Sequence, residues 1–209
     1  MSERFEKIPA AEKESILQAV LSEFADKGYR RASTNAIVEN AGIPKGTLFY
    51  YFGSKKNLFL YLLDGAVEKY VAFVNEDKAV APDELFERLL FRERIKLRFA
   101  AENPLLFRFF SKVFLDIPEE IKTDLANRFS KYSAASADNL TAGIDHSRFR
   151  DGVDEKEAVQ MIHVLLEGIF ARYSPRLKAA KADEFEGLIR EISDECRRYF
   201  KMIQSGIYR

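Results

Sequence analysis

Lys45-Gly46-Thr47, followed at once by Tyr50-Tyr51, is the stretch of this chain whose residue types could recognise something charged. Lysine can donate to guanine O6 and N7 or to a phosphate, and threonine offers a hydroxyl to a base or a methyl to thymine. Tyrosine hydroxyls commonly go to phosphate oxygens. Gly46 has no side chain, so a nucleic-acid backbone or base could approach closely there. This is chemistry for reading a duplex. Support for catalysis is lacking: the sequence has no phosphate-cradling Gly-rich loop and no nucleophile elbow, and its carboxylates are scattered over solvated helix faces.

Those residues need a helix that shows them outward. Leu48 and Phe52, four apart, supply an inward face over about 44–52, with Phe49 beside them. A first helix is expected over about 9–27, its apolar stripe being Ile16, Leu17, Val20, Leu21 and Phe24, with Pro9 in the first turn and Gly28 stopping it. A second begins after Ser33 or Thr34, whose hydroxyl can cap it, offers Ile37, Val38 and Ala41 to a core, and ends at Gly42. Only Gly42-Ile43 separates it from the third, so the two must cross steeply. That is helix-turn-helix geometry.

Thr34, Ile37, Ala41-Gly42, Gly46-Thr47-Leu48, Tyr51-Phe52 and Ser54-Lys55 stand at the spacing of TetR-type repressor DNA-binding regions, and residues 9–66 resemble that family. The resemblance implies phosphate contacts from Thr34, Tyr50, Tyr51 and Lys55, and base contacts from Lys45, Gly46 and Thr47 with Asn35. Two positions depart from the pattern. Phe49 stands where many members have tyrosine, and Pro44 where a capping serine is common. Both changes remove hydroxyls that could touch DNA, so the operator sequence does not follow from the family.

A formal net charge of zero over 209 residues argues, on its face, against a nucleic-acid binder. The local balance is different. Lys27, Arg30, Arg31, Lys45, Lys55 and Lys56 stand against Glu39 alone between residues 27 and 56, a local charge of +5. Phosphate binding responds to the field within about 8–10 Å at physiological salt, so local charge decides. Cys196 is the single cysteine, which excludes an intramolecular disulfide, and its place on an apolar stripe makes it a core or interface residue. The N-terminus lacks the apolar run of a signal peptide. No stretch approaches the ~20 apolar residues that span a bilayer. A cytoplasmic protein without membrane contact is expected.

The 47% hydrophobic composition suffices for a sizeable core. Beyond the tyrosines the chain reads as helices: about 54–75, then 83–102, 104–115 and 118–146 between Pro82, Pro104 and Pro118, then 154–173 ending before Pro175, and 183–205. The fold class is all-α. An N-terminal three-helix helix-turn-helix DNA-binding domain, 1–53, is joined through a shared helix to a helical bundle, 54–209, for effector binding and dimerisation.

Val159, Ile162, Leu166, Ile169, Phe170 and Tyr173 recur at helical steps, as do Leu188, Ile192, Cys196, Tyr199 and Phe200. Periodicity leaves open whether these stripes face their own core or a second chain. The resemblance implies pairing through the last two helices, with Val159, Leu166, Phe170, Leu188, Ile192, Cys196, Tyr199 and Phe200 at the dimer interface. A twofold dimer presents two reading helices to major grooves about 34–36 Å apart, so a palindromic operator is expected.

Phe91, Phe99, Phe107, Phe109, Phe110, Phe114, Phe129, Tyr132 and Phe170 read as ordinary core by spacing; the resemblance implies that some line a cavity for an apolar or amphipathic small-molecule effector. His163 lies between Ile162 and Val164 and reads as a hydrogen-bonded interior histidine, or as a polar member of that cavity. Arg98, Arg108 and Asn139 are other polar candidates. His146 stands seventeen positions from His163 with no cysteine nearby, so no metal site is expected, and no cofactor. The resemblance implies a repressor that such an effector releases from its operator. The competing reading, a DNA-bound adaptor acting through a protein partner, requires no effector.

Overall fold

The computed structural model describes residues 3–76, 82–115, 117–128, 145–180 and 182–207, and every regular element among them is helical. In chain order these are α1 (Glu3–Glu6), α2 (Ala10–Arg31), α3 (Thr34–Ala41), α4 (Lys45–Phe52), α5 (Lys55–Glu76), α6 (Leu85–Glu102), α7 (Pro104–Leu115), α8 (119–128), α9 (Glu155–Ala179) and α10 (Ala182–Ile207). The fold is all-α, as the periodicity predicts. By packing, the chain divides into two compact units: residues 1–77 with 102–125, and residues 78–101 with 126–209. The functional boundary expected after residue 53 falls inside the first unit, because α2 packs not only on α3 but also on α5 and α7.

In the first unit α2 is the central post. Its Ile16, Val20 and Phe24 are fully buried, together with Ile37 of α3 and Leu48 and Phe52 of α4. The aromatic centre is edge-to-face: Phe59 of α5 meets Phe24 and Tyr29 at 5.0 Å each and Phe109 of α7 at 5.5 Å. Such arrangements place the positive ring edge on the negative ring face. Gly28 has φ +68°, as expected of a stop, but the chain resumes one helical turn through Tyr29–Arg31 before Ala32 leaves it. That extra turn buries the Tyr29 ring. Arg108 of α7 pairs with Asp26 of α2, which gives this candidate polar group a structural partner.

The N-terminal segment departs from the sequence reading. Residues Glu3–Glu6 form a short helix whose Phe5 is fully buried, with its ring 4.8 Å from Phe52, 5.5 Å from Tyr51 and 5.6 Å from Tyr61. Glu6 accepts from Lys13 Nζ at 2.6 Å and from the Tyr61 hydroxyl, and these bonds hold its carboxyl below the usual range. A single phenylalanine therefore plugs the core beneath α4 from a segment that precedes the first helix expected from the sequence.

In the second unit Glu84 caps α6 by accepting from the Phe86 and Glu87 amides at 2.9 and 2.8 Å, and Asp154 caps α9 through the Glu157 amide at 3.0 Å. α9 does not end before Pro175; it continues to Ala179 with Pro175 inside it. The price of the missing amide is met by packing: Leu177 beyond the proline is buried, and Arg176 makes two 2.9 Å bonds to Glu191 of α10. Tyr173 donates to Glu195 at 2.8 Å and to Glu191 at 3.0 Å, and Arg172 also pairs with Glu195. Pairs whose numbers rise on α9 as they fall on α10 make the two helices antiparallel. The Tyr199 hydroxyl, then that of Tyr173 and the Arg172 guanidinium, pull the Glu195 carboxyl down to about 2.

Candidate nucleic-acid interface

Local chemistry builds the helix-turn-helix. The Ser33 hydroxyl accepts from the Ala36 amide at 3.4 Å and starts α3, which fits the cap expected there. Gly42 takes the left-handed conformation, φ +66° and ψ 28°, and its amide returns to the Glu39 and Val38 carbonyls. A side chain here would be strained, so the tight turn needs glycine. Pro44 precedes α4 without a side-chain cap, and Ser54 caps α5 through the Asn57 amide at 3.1 Å.

The two faces of α4 then separate cleanly. Leu48 and Phe52 are buried, whereas Lys45, Gly46 and Tyr50 are exposed, Tyr50 to 60%. Thr47 and Tyr51 are half-buried, and Tyr51 rests its ring on Phe5. The Lys45 ammonium lies 6.0 Å from the Phe49 ring, over a side chain that is itself exposed. On α3, Asn35 is exposed and Thr34 half-buried. Seven of the eight nominated residues therefore sit on α3 and α4, with Lys55 opening α5.

Gly46 is informative in a different way. A Cβ built there meets no atom within 4 Å, so nothing in the fold excludes a side chain. Its bareness is not needed for internal packing and is consistent with an outside surface coming close.

Lys55 is more constrained than the sequence implies. Its ammonium donates to the Arg30 carbonyl at 3.2 Å, at the end of α2, and lies 5.0 Å from the Tyr29 ring. Burial lowers its pKa, opposed by Glu120 and Glu23. Lys56 bonds Asp124 of α8 at 2.7 Å. The local surplus of positive charge read from residues 27–56 is thus partly answered by acids from elsewhere in the same unit. Sequence distance hid those acids. Burial, and the bond that the hydroxyl donates to the Glu120 carboxylate, also push the Tyr29 hydroxyl upward.

The nominated effector residues that the structure describes fall on α6, α7 and α9. Phe99 is fully buried on α6, Phe107 and Phe110 are half-buried on α7, and Phe170 is 41% exposed on α9. Phe114 is a helical residue of α7; Phe129, Tyr132 and Asn139 lie outside the described residues. His163 is not interior: its side chain is 66% exposed and meets Glu167 at 3.2 Å. On α9 it falls away from the buried row Ala158, Ile162, Ile169 and Tyr173, which explains the misreading, because hydrophobic neighbours in sequence point to other faces. The cleft under α2 is lined by Phe24, Tyr29, Phe59, Phe109, Lys112 and Ile121, among others, and so includes Phe109 from the rings expected at a cavity.

Of the interface candidates, Leu188, Cys196 and Phe200 are buried by the chain's own second unit, with Phe200 6.2 Å from Phe86. These three face their own core. Burial also raises the Cys196 thiol to about 11, so it is a packing residue and not a nucleophile. Val159, Leu166 and Phe170 share one flank of α9, with Phe170 outward, and Ile192 and Tyr199 are half-exposed on α10. The other flank shows Met161 and Val164, which sequence periodicity did not single out, at 44% and 56% exposure. No group of metal-binding side chains and no helix long and apolar enough to cross a membrane occurs among the described residues.

Comparison with known proteins agrees with this geometry. Residues 16–62 match the family model of bacterial regulatory proteins, tetR family. The chain is 26% identical over 182 residues to the HTH-type transcriptional repressor AcnR of Corynebacterium glutamicum, covering 84% of this chain and 87% of that one. It is 27% identical over 195 residues to the HTH-type transcriptional repressor Rv1474c of Mycobacterium tuberculosis, covering 87% and 94%. A solved structure of a TetR family transcriptional regulator from Chloroflexus aurantiacus superposes with a TM-score of 0.65 at 22% identity, over 99% of this chain and 98% of that one. Two of these proteins are thus named as transcriptional repressors and the third as a transcriptional regulator.

Proposed function

From the premise that residues 16–62 form a tetR-family DNA-binding region, we propose that this regulator is a homodimeric transcriptional repressor, released from a palindromic operator by a small apolar or amphipathic effector. The observation that carries this reading is the division of α4: Leu48 and Phe52 anchor it while Lys45, Gly46 and Tyr50 face outward. Lys45, Gly46 and Thr47, with Asn35, are assigned to base edges; Thr34, Tyr50, Tyr51 and Lys55 are assigned to phosphates. Similarity to two proteins named as repressors supports the sign of regulation.

The dimer is assigned to the outer flank of α9, through Val159, Leu166 and Phe170, with Ile192 and Tyr199 of α10. The effector is assigned to residues 54–209, and the protein to the cytoplasm, where its operator is. An effector acts only through a difference in its affinity for the DNA-competent and DNA-incompetent states.

The deciding experiment recovers and sequences genomic fragments bound by the purified protein, then screens small apolar and amphipathic compounds for release of a labelled fragment. A palindromic consensus and at least one releasing compound are expected. Recovery without a twofold consensus sinks the dimeric reading, and binding that no compound in a broad screen disturbs sinks the effector.

A further inference from the structure

We infer that Arg4 is a phosphate-contacting residue, so that the DNA interface extends from α4 onto the N-terminal helix α1. The inference rests on the DNA-binding reading above and adds to it a residue outside the family-matched region 16–62.

Three observations place Arg4. Phe5, fully buried against Tyr51, Phe52 and Tyr61, fixes α1 to the end of α4, so its neighbour is not on a loose tail. Glu6 is engaged on the other side by Lys13 and the Tyr61 hydroxyl. Arg4 itself is exposed, with its guanidinium 4.6 Å from the centre of the Tyr50 ring. That ring belongs to the outward face of α4 and is 60% exposed. Arg4 therefore stands at the rim of the surface that a duplex would meet.

The type of contact follows from the side chain. A guanidinium stacked on an aromatic ring keeps its N–H donors in the plane, directed past the ring edge. It is planar, weakly hydrated and always charged, and its paired donors match two phosphate oxygens. Lying over the Tyr50 ring also restricts a flexible side chain before DNA arrives, which lowers the ordering cost of the contact. Tyr50 then has two tasks: its hydroxyl faces a phosphate and its ring holds Arg4.

The test measures binding of the full chain to a fluorescent genomic fragment recovered by the wild-type protein, across a series of salt concentrations. Arg4→Ala should weaken binding by about three- to tenfold and reduce the slope of log K against log salt by about 0.9, one phosphate's worth. Arg4→Lys should keep most of the slope, and the thermal midpoint should hardly move in either variant. An Arg4→Ala slope equal to wild type overturns the assignment, as does a loss of affinity traced to a lowered midpoint. Lys45→Ala run in parallel separates the two readings. If Lys45→Ala weakens binding and Arg4→Ala does not, only the Arg4 inference fails; if the wild type recovers no duplex at all, both fail.

Discussion

The outer face of α4 and the seam between α9 and α10 are both rich in polar residues, yet they use them in opposite ways. On α4, Lys45 and Tyr50 are exposed and Thr47 is half-buried beside them. Along the seam, Arg172, Tyr173 and Arg176 are locked to Glu191 and Glu195. One surface holds its donors outward for something else; the other engages its donors internally, and beside them Met161, Val164 and Phe170 are exposed. A DNA-reading face and a self-association face are expected to differ in this way, since phosphates need donors and an isologous interface needs apolar area.

Four substitutions can break or sharpen that contrast. The largest effect is expected from Phe170→Glu, on the exposed flank of α9. A twofold interface would bury two new carboxylates, and each unpaired buried charge costs several kcal/mol. Sedimentation should show a folded monomer that no longer holds operator DNA; a persistent dimer would move the interface to the Met161–Val164 flank.

Phe5→Ala comes next. It removes a fully buried ring beneath α4 and should destabilise the first unit by about 3–5 kcal/mol. Chemical denaturation measures the loss, and a change below about 1 kcal/mol would mean that α1 is not part of the core.

Lys45→Ala should leave stability alone and weaken operator binding by about 1–3 kcal/mol if the lysine reads a base. A randomised-operator selection should then show relaxed preference at particular base pairs. Uniform weakening across sequences would reassign Lys45 to phosphate.

Gly46→Ala gives the smallest effect and the most telling sign. Alanine at a helical position should stabilise the fold by about 0.5–1 kcal/mol, because no atom lies near the new Cβ. If DNA approaches closely at Gly46, the same variant binds its operator more weakly. Stability and affinity moving together would remove Gly46 from the contact surface.

The same contrast explains what was legible beforehand. The α3–α4 turn was readable because its determinants, Ser33, Gly42 and Pro44, act over a few residues, and caps and left-handed turns are local chemistry. Other features depended on neighbours distant in sequence. Phe5 sits in a charged segment too short for periodicity to detect; only its spacing to Ile8 hinted at an apolar face. Pro175 read as a boundary because the Arg176–Glu191 pair that supports the continuing helix comes from another element. Leu188, Cys196 and Phe200 were correctly placed on an apolar stripe, but a stripe does not say which neighbour covers it. His163 shows the reverse: its apolar neighbours along the chain are not its neighbours in space, and it stands exposed.

The ion pair between Lys56 and Asp124 has a consequence of its own. A phosphate brought to the start of α5 would come within range of a resident carboxylate, and like charges at short distance repel. If α5 meets a phosphate there, Asp124 would hold that grip below what the count of lysines suggests. Any event that draws α8 away would tighten the complex, and DNA binding would in turn favour that withdrawal by the same factor.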